Sequence, residues 1–330
     1  MKRPIVAVTM GDPAGIGPEV VLGAMKSAEV YERTLPVVIG SVEVLGRQMG
    51  VSGLELVAAD GLEQAEGRHG RVDVLDVPTP GMKSLVPGQV QAAAGVAADA
   101  YIRKACDLAL QGRIDAISTA PISKESLRAA GISGIGHTEM LAEYLHSPDP
   151  LTLFITAKMR IFFLSRHLSL RQAIDYITEE RMVAMIRRVD AAMRDLGFES
   201  PRIGVAALNP HASDGGQFGS EEAEIIIPAI EKAQGRGINV IGPIGADSIF
   251  HQALEGRHDC VISLYHDQGH IAAKTRDFFR TVTATLGLPI LRTSVDHGTG
   301  FDIAWQGKAN PVSMEAAILA AAEMLEPTEL

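Results

Sequence analysis

Short apolar runs recur along the chain, and most are followed by a stretch with helical periodicity. Two helical stretches are expected at residues 92–112 and 220–237; the second starts with acidic residues and ends in glycine, as helices commonly do. Strands that alternate with helices predict an α/β protein with a largely parallel sheet. The runs expected to form buried strands are residues 4–10, 36–40, 115–120, 151–156, 160–165, 202–208, 238–242 and 260–265.

One pair of runs breaks this alternation. In "LTLFITAKMRIFFLS", only the three residues "AKM" separate two apolar runs, so an antiparallel hairpin is expected at residues 151–165. The polar stretch near residues 60–90 is expected to be surface structure. Neither an internal repeat nor a low-complexity segment is visible, so the chain is expected to form ordinary packed domains.

Composition and charge limit the classes of function. The chain has 330 residues, 46% of them hydrophobic, which predicts two domains that each bury a core. Its formal net charge of −10 disfavours nucleic acid as a partner, because phosphate backbones are bound by basic surfaces. A small anionic substrate remains compatible with this charge, since it needs only a few local cations.

Cysteine usage and hydropathy point to the cytoplasm. Cys106 and Cys260 lack metal-ligand spacing and indicate reduced thiols. Gly11, Asp12 and Pro13 interrupt the first apolar run before a signal-peptide core is complete. No stretch approaches the ~20 apolar residues of a membrane span. We therefore expect a soluble, cytoplasmic protein without a membrane segment.

A glycine-rich turn near the start of the chain is a candidate ligand loop. "VTMGDPAGIGPEV" follows a predicted strand and opens a helix, and it contains Gly15 and Gly17. The third position of a dinucleotide fingerprint is Val20 rather than glycine, so the fingerprint is incomplete. The alternative is a strand-to-helix turn with Pro18 and Glu19 in the first helical turn.

Three of the ten histidines directly follow predicted strands, where α/β proteins place their ligand sites. They are His167 in "SRHLSL", His211 in "NPHASDGG" and His266 in "YHDQGH". Neutral imidazoles suit Zn²⁺, Co²⁺, Ni²⁺ and Mn²⁺, and they leave the charge of the ion undiminished for a substrate. The alternative for each histidine is a hydrogen-bonded structural role.

Other polar residues occupy positions that suit an anionic substrate. Arg292 follows the apolar run "LPIL", and a guanidinium there could bind a phosphate or carboxylate with two parallel hydrogen bonds. In "GIGHTEM", which contains His137 and Thr138, a threonine after glycines with an acid close behind suits a helix cap. Asp247 and Asp267 are either acidic residues next to the substrate or residues that form turns. Asp267 could also orient His266 by accepting a hydrogen bond from it.

Both chain ends resemble segments of isocitrate and isopropylmalate dehydrogenases. Those enzymes have a "GDGIGPE" turn near the start and an "HG-x-x-x-DIAG-x-G-x-ANP" loop near the end; here the loop is "HGTGFDIAWQGKANP". A closer likeness runs almost end to end through "TMGDPAGIGPE", "TAPISKE", "GHTEMLAEYL", "LNPHASDGGQFGSEE", "YHDQGH" and "TLGLPILRTSVDHGT". By these motifs the chain resembles the 4-hydroxythreonine-4-phosphate dehydrogenase family.

The resemblance implies an isocitrate/isopropylmalate dehydrogenase-like α/β fold with two domains and a cleft between them. Residues 1–125 and 290–330 would form the NAD-binding domain, and residues 126–289 the domain for substrate, metal and dimerisation. It also implies a homodimer in which one metal ligand comes from the partner subunit.

The resemblance further assigns roles to individual residues. NAD, or alternatively NADP, would be bound by Gly15, Gly17, His297, Gly298, Thr299, Asp302 and Asn310. One divalent ion (Zn, Mn, Co, Ni or Mg) would be bound by His167, His211 and His266. The substrate would contact His137, Thr138, Lys274, Thr283 and Arg292. Asp247, Asp267 and Lys274 would transfer protons.

The activity implied is oxidation of the C3 hydroxyl of a 4-phosphorylated four-carbon hydroxy acid, followed by decarboxylation, as in pyridoxine biosynthesis. Thr283 replaces the asparagine usual in the family, and "RDFFR", Arg166, "YHDQGH" and "FDIAW" indicate a sister branch. The alternatives are a 4-phospho-D-threonate or 4-phospho-D-erythronate dehydrogenase, a cis-dihydrodiol dehydrogenase on the same scaffold and, from another class, a metal-dependent hydrolase.

Overall fold

The structure, a computed structural model, describes residues 3–48, 53–133 and 136–326. Its strands are β1 (Ile5–Thr9), β2 (Leu35–Gly40), β3 (Glu55–Ala59), β4 (Arg71–Asp76), β5 (Ala116–Thr119), β6 (Leu151–Thr156), β7 (Met159–Phe163), β8 (Ile203–Ala206), β9 (Val240–Ile244), β10 (Cys260–Ser263), β11 (Val282–Leu286) and β12 (Leu291–Val295). Its helices are α1 (Gly17–Ala24), α2 (Ala28–Arg33), α3 (Val42–Gly46), α4 (Ala92–Leu110), α5 (Lys124–Ala129), α6 (His137–Tyr144), α7 (Leu170–Tyr176), α8 (Glu179–Asp195), α9 (Ile227–Gln234), α10 (Ala246–Leu254), α11 (His266–Arg276) and α12 (Val312–Leu325). The predicted α/β class is confirmed.

The chain divides into two compact units. The first unit combines Met1–Pro150 with Val282–Glu326, and the second is the continuous stretch Leu151–Thr281. The sequence analysis places the boundaries at 125/126 and 289/290 instead. The first unit extends further because α5 and α6 pack against α4, and because β11 pairs with β12. Residues 327–330, part of the expected first domain, lie outside the described residues.

In the first unit the strand order is β3-β4-β2-β1-β5-β12-β11. All of these pairings are parallel except the antiparallel pairing of β11 with β12. Val6, Ala7 and Val8 of β1 are fully buried because helices cover this central part of the sheet. The core of the unit therefore surrounds the strand from which the glycine-rich turn emerges.

In the second unit the strand order is β6-β7-β10-β8-β9. The expected hairpin is confirmed, since β6 and β7 are antiparallel and joined at Ala157, whose φ is 50°. The other pairings are parallel. Helix α8 buries Met182, Met185, Ile186 and Val189, spaced three or four residues apart, and packs against α9.

One expectation about local structure is wrong in part. The stretch near residues 60–90 is not all surface structure, since it contains β4, in which the buried carboxylate of Asp73 accepts hydrogen bonds from Arg71 and from the amides of Glu66 and Gly67. The helix expected at residues 220–237 is confirmed, and it starts as a π-helical turn at Glu222–Ile226 before it continues as α9. Among the described helices, none is both long and apolar enough to span a bilayer.

Candidate active site

The candidate residues of the first unit follow the C-terminal ends of three adjacent parallel strands. β1, β5 and β12 lie side by side, and they lead into the glycine-rich turn, the segment that begins at Ala120 and the loop that begins at Asp296. Ligands of open α/β sheets bind at this edge, because backbone amides and loops converge there. The topology thus brings the early and late motifs of the sequence to one edge of the first unit.

The glycine-rich turn packs directly against the late loop. The amide of Ile16 donates a hydrogen bond to the carbonyl of Thr299 at 2.9 Å. A Cβ at Gly15 would lie 2.3 Å from Cγ2 of Thr299, and a Cβ at Gly17 would lie 2.2 Å from the carbonyl oxygen of Met10. Both positions require glycine because no side-chain atom fits between these backbones.

Glu19, whose role the sequence analysis missed, fixes the same loop. Its carboxylate accepts hydrogen bonds from the amides of Trp305, at 2.7 Å, and Gly307, at 2.5 Å. Trp305 has a φ of 62°, donates its indole N–H to the carbonyl of Pro13, and lies under the guanidinium of Arg47. The only signal for Glu19 in the sequence was an acid in a first helical turn, which also suits a helix start.

The residues assigned to NAD differ in what their side chains do. The hydroxyl of Thr299 donates to the carbonyl of Ile122, and Oδ1 of Asn310 accepts from the amide of Val312 at the start of α12. Asp302 and Gly298 are exposed. His297 differs from these, because its Nε2 is buried without a hydrogen-bond partner among the described residues.

A second buried polar atom lies in the glycine-rich turn. Asp12 is fully buried, and its Oδ1 accepts a hydrogen bond from the amide of Ala14 at 2.8 Å. Its Oδ2 has no partner among the described residues. Burial raises the pKa of this carboxyl, against the lowering effect of its hydrogen bonds. The turn therefore keeps an acceptor available for a ligand that replaces water.

Arg292 is a buried cation that only hydroxyl groups contact. It is 4% exposed, and it donates to Oγ1 of Thr119 at 2.7 and 3.1 Å and to Oγ1 of Thr285 at 3.1 Å. None of the described carboxylates forms an ion pair with it. Burial lowers its pKa to about 9, against the raising effect of the Glu139 charge, so the side chain stays charged at neutral pH.

His137, Thr138 and Thr283 also belong to the first unit. His137 begins α6, and its Nε2 is buried without a partner in the described part of the chain. Burial and then the charge of Arg292 hold the pKa of His137 well below its usual value. Thr138 lies in the same helical turn, which has no side-chain cap. Thr283 is partly buried on β11, opposite Ser294.

In the second unit the candidate residues again follow parallel strands. β7, β10, β8 and β9 are neighbours in that order, and their C-terminal ends lead to His167, His266, His211 and Asp247 respectively. Asp247 is exposed in the first turn of α10. Nζ of Lys274 lies 5.3 Å from the centre of the Phe278 ring.

His266 is held from two sides. Its Nδ1 is 2.7 Å from Oδ1 of Asp267, and the ring of His270 stacks on it with 3.6 Å between centroids and 10° between planes. Nδ1 of His270 is 2.8 Å from the carbonyl of His266, which can only accept, so this nitrogen donates. The ring of His167 lies 6.3 Å from that of His266, between centroids.

The third histidine is not grouped with this pair. Within residues 3–48, 53–133 and 136–326, no three His, Cys, Asp or Glu side chains are arranged so that they could hold a metal ion. His211 is exposed on a turn with positive φ values. The sequence analysis also missed Glu222 and Gln268, buried polar residues that contact the segments beside His211 and His266.

Comparisons with known proteins identify the family. The family model described as "Pyridoxal phosphate biosynthetic protein PdxA" matches residues 32–321. A relative from Symbiobacterium thermophilum, provisionally named D-threonate 4-phosphate dehydrogenase, is 52% identical over 96% of this chain and 95% of its own.

Solved structures agree with that match. The 4-hydroxythreonine-4-phosphate dehydrogenase of Klebsiella pneumoniae has a TM-score of 0.90 at 40% identity, covering 98% of this chain and 100% of that one. The terephthalate 1,2-cis-dihydrodiol dehydrogenase of Burkholderia xenovorans has a TM-score of 0.65 at 31% identity, covering 97% and 98%. These relatives are dehydrogenases, and the chain is likewise an oxidoreductase of the CH–OH class. It belongs to the PdxA family.

Proposed function

We propose that this protein oxidises the C3 hydroxyl of a 4-phosphorylated four-carbon hydroxy acid, with NAD as hydride acceptor and a divalent metal ion at the substrate, and that decarboxylation follows. NADP is the alternative acceptor. Relatives named for 4-hydroxythreonine 4-phosphate and D-threonate 4-phosphate share this substrate class.

The observation that carries the proposal is the environment of Arg292. A buried guanidinium without a carboxylate partner is unfavourable unless an anionic ligand approaches it. The buried Nε2 of His137 and the uncapped start of α6 belong to the same unit and supply further donors. A phosphate would satisfy these groups together, and its binding energy would orient the reacting end of the substrate.

The first unit has features that fit a dinucleotide. Gly15 and Gly17 let the glycine-rich turn pack closely on the late loop and on Met10 after β1, and the buried Oδ2 of Asp12 and Nε2 of His297 offer polar contacts to a ligand there. NAD bound here would supply the hydride acceptor. Asp302 and Asn310 would contact its adenosine half, as the family resemblance implies.

The second unit has donors that fit a metal ion in part. The 6.3 Å between the rings of His167 and His266 is close to the ~5–6 Å expected when two imidazoles share an ion at about 2.0–2.1 Å. Asp267 holds Nδ1 of His266, which leaves Nε2 as the nitrogen for the ion. A bound divalent ion would lower the pKa of the substrate hydroxyl and polarise the ketone.

Two side chains are assigned proton transfers, and a third orients a metal ligand. Asp247 takes the proton of the C3 hydroxyl as the C3 hydride departs, which leaves a β-keto acid. Loss of CO₂ breaks the C1–C2 bond and leaves its electron pair on C2. Lys274 then donates a proton to C2. Asp267, already bonded to His266, acts as the residue that orients this ligand.

A partner subunit supplies the third imidazole in this proposal, so that two subunits build each metal site. The surface of α7 supports a homodimer, because Leu170 is 60% exposed and Ile174 is also exposed, while Ala173 is the only buried residue of that helix. Replacing Leu170 and Ile174 together by glutamate should give monomers in sedimentation experiments and abolish activity. An active monomer would contradict the shared site.

Among the substrates, D-threonate 4-phosphate is favoured over the 2-amino compound. The relative named for the threonate is 52% identical, against 40% for the solved 4-hydroxythreonine-4-phosphate dehydrogenase. Thr283 replaces an amide that the family usually offers near the substrate. The erythronate epimer remains a direct competitor. The cis-dihydrodiol alternative is weaker, because the relative named for such a substrate is 31% identical to this chain, against 40% and 52% for the two relatives named for phosphorylated substrates.

The test is NADH formation, followed by absorbance, with four substrates: 4-phosphothreonate, 4-phosphoerythronate, 4-phosphohydroxythreonine and an unphosphorylated cis-diol. We expect activity with a phosphorylated substrate, and dependence on an added divalent ion after chelation. Turnover of the diol alone, or full activity after thorough metal removal, would contradict the proposal. A hydrolase would release product without forming NADH.

A further inference from the structure

A single buried carboxylate organises the segment that leads to His211. Glu222 is 1% exposed. Its Oε1 accepts hydrogen bonds from the amides of Leu208, at 2.9 Å, and Asn209, at 2.7 Å. Its Oε2 accepts from Nδ2 of Asn209 at 2.8 Å and from the hydroxyl of Ser213. Four donors on both sides of His211 in sequence thus converge on one side chain.

The turn held in this way has a conformation that needs such support. His211, Ala212, Ser213 and Asp214 have φ values of 52°, 54°, 67° and 44°, and none of them is glycine. Each non-glycine residue in this region is unfavourable by ~1–3 kcal/mol, and it persists only where surrounding contacts enforce it. Glu222 itself begins a π-helical turn, a distortion frequent at functional sites.

A second buried side chain links this segment to the strand before His266. Oε1 of Gln268 accepts from the amide of Leu264 at 2.7 Å, and its Nε2 donates to the carbonyl of Ala207 at 2.7 Å. Gln268 is 8% exposed. These two hydrogen bonds connect the end of β10 to the end of β8. The side-chain amide of Gln268 therefore contacts the backbone before His266, at Leu264, and the backbone before His211, at Ala207.

We propose that Glu222 and Gln268 are positioning residues that fix, before any ion binds, the backbone from which His211 and His266 present their imidazoles. Glu222 holds the left-handed turn by accepting four hydrogen bonds, and Gln268 fixes the strand ends by donating one hydrogen bond to Ala207 and accepting two, from Leu264 and Ser263. Neither side chain touches the ion or the substrate. The inference rests on the proposed role of these histidines as metal ligands.

The test measures Co²⁺ binding by the full protein, from the visible d–d absorption of the bound ion. Glu222→Gln keeps the size of the side chain but turns an NH₂ group toward donors, so the turn should shift. We expect Co²⁺ affinity to fall about 10- to 100-fold, with an altered absorption envelope. Glu224→Gln, on the exposed side of the same π-helical turn, is the matched control and should bind Co²⁺ like the parent protein.

Gln268→Glu provides a second, independent variant in case Glu222→Gln does not fold. It loses the donor to Ala207 while keeping the acceptor for Leu264, and it should also bind Co²⁺ at least about tenfold more weakly. Normal Co²⁺ binding and spectra in folded variants would overturn the inference but not the proposed function. A parent protein that binds no Co²⁺ would overturn both.

Discussion

The candidate residues of the first unit are mostly buried and packed, whereas those of the second unit are mostly exposed and apart. In the first unit, Arg292 and His137 are desolvated, and the glycine-rich turn and the late loop are in direct backbone contact. In the second unit, His266 is 40% exposed at its side chain, His211 is exposed, and the three histidines are not gathered into one group. The candidate polar groups of the first unit are thus fixed by packing, whereas those of the second unit are not gathered at one point within the described residues.

The difference follows from what each ligand needs. Phosphate and dinucleotide are bound by backbone amides, glycines and a buried cation, which packing alone can hold in place. A metal ion needs several side chains at one point, and solvated histidines remain apart until an ion or a partner supplies the missing contact. Substitutions in the first unit are therefore expected to change stability and substrate affinity through packing and charge. Substitutions in the second unit are expected to change metal binding.

The largest expected effect is in the second unit. His266→Ala should lower kcat/KM by ~10³-fold or more, because the positive charge that stabilises the oxidised substrate would be lost. His211→Ala should do the same. NADH formation measures the effect, and His251→Ala, an exposed histidine of α10, serves as the control. If His266→Ala keeps activity near that of the control, the second unit contains no metal site of this kind.

Arg292→Met tests the first unit. We expect a fall of ~10²-fold in kcat/KM, mainly through KM, because the charge-assisted bonds to phosphate are lost. The thermal midpoint should be maintained or raised, since a buried unpaired charge is removed. Arg280→Met, at an exposed arginine, is the control. A lower midpoint with unchanged KM would make Arg292 a structural residue only.

Gly17→Ala tests whether the first unit depends on backbone contact. The added Cβ would lie 2.2 Å from the carbonyl oxygen of Met10, so the free energy of unfolding should fall by ~1–3 kcal/mol and NAD binding should weaken. Urea unfolding and cofactor titration measure the two effects. Gly46→Ala, in α3, places the added methyl group in open space and should lower neither the stability nor the affinity for NAD.

A smaller effect is expected from pH. Burial, followed by the charge of Arg202, lowers the pKa of His258, which is 4% exposed. The unfolded chain takes up this proton at a higher pH than the folded chain, so the free energy of unfolding should fall as the pH drops below about 6.5. His258→Gln should reduce this slope, and His251→Gln, exposed, should not. Equal slopes in both variants would contradict the assignment.

Strand and helix positions followed from the apolar pattern where burial was uniform. β1, β2, β6, β7 and β10 are largely apolar and were predicted. β4 was missed because the charged residues Arg71 and Asp73 interrupt its apolar pattern. The structure shows that Asp73 is buried and hydrogen-bonded to Arg71 and to the amide of Gly67. A charged residue in a sequence cannot be recognised as buried when the partners that satisfy it are unknown.

The candidate site was predictable to the level of strand ends. His167, His211 and His266 were identified because each follows an apolar run, and in the structure each follows one of three adjacent parallel strands. The supporting residues were not identifiable: Glu19, Glu222 and Gln268 act through backbone amides and carbonyls far away in sequence. No motif or spacing in the sequence distinguishes these three residues from other polar residues.

The discontinuous first unit has a consequence for synthesis on the ribosome. Its β5 pairs on one side with β1 and on the other with β12, which is made more than 160 residues later. The second unit is continuous, so it can finish folding while the sheet of the first unit still lacks β12 and the helix α12 that packs on it. Until those arrive, one edge of β5 is open to wrong pairing, and a chain that stalls late in translation would leave that edge available for aggregation.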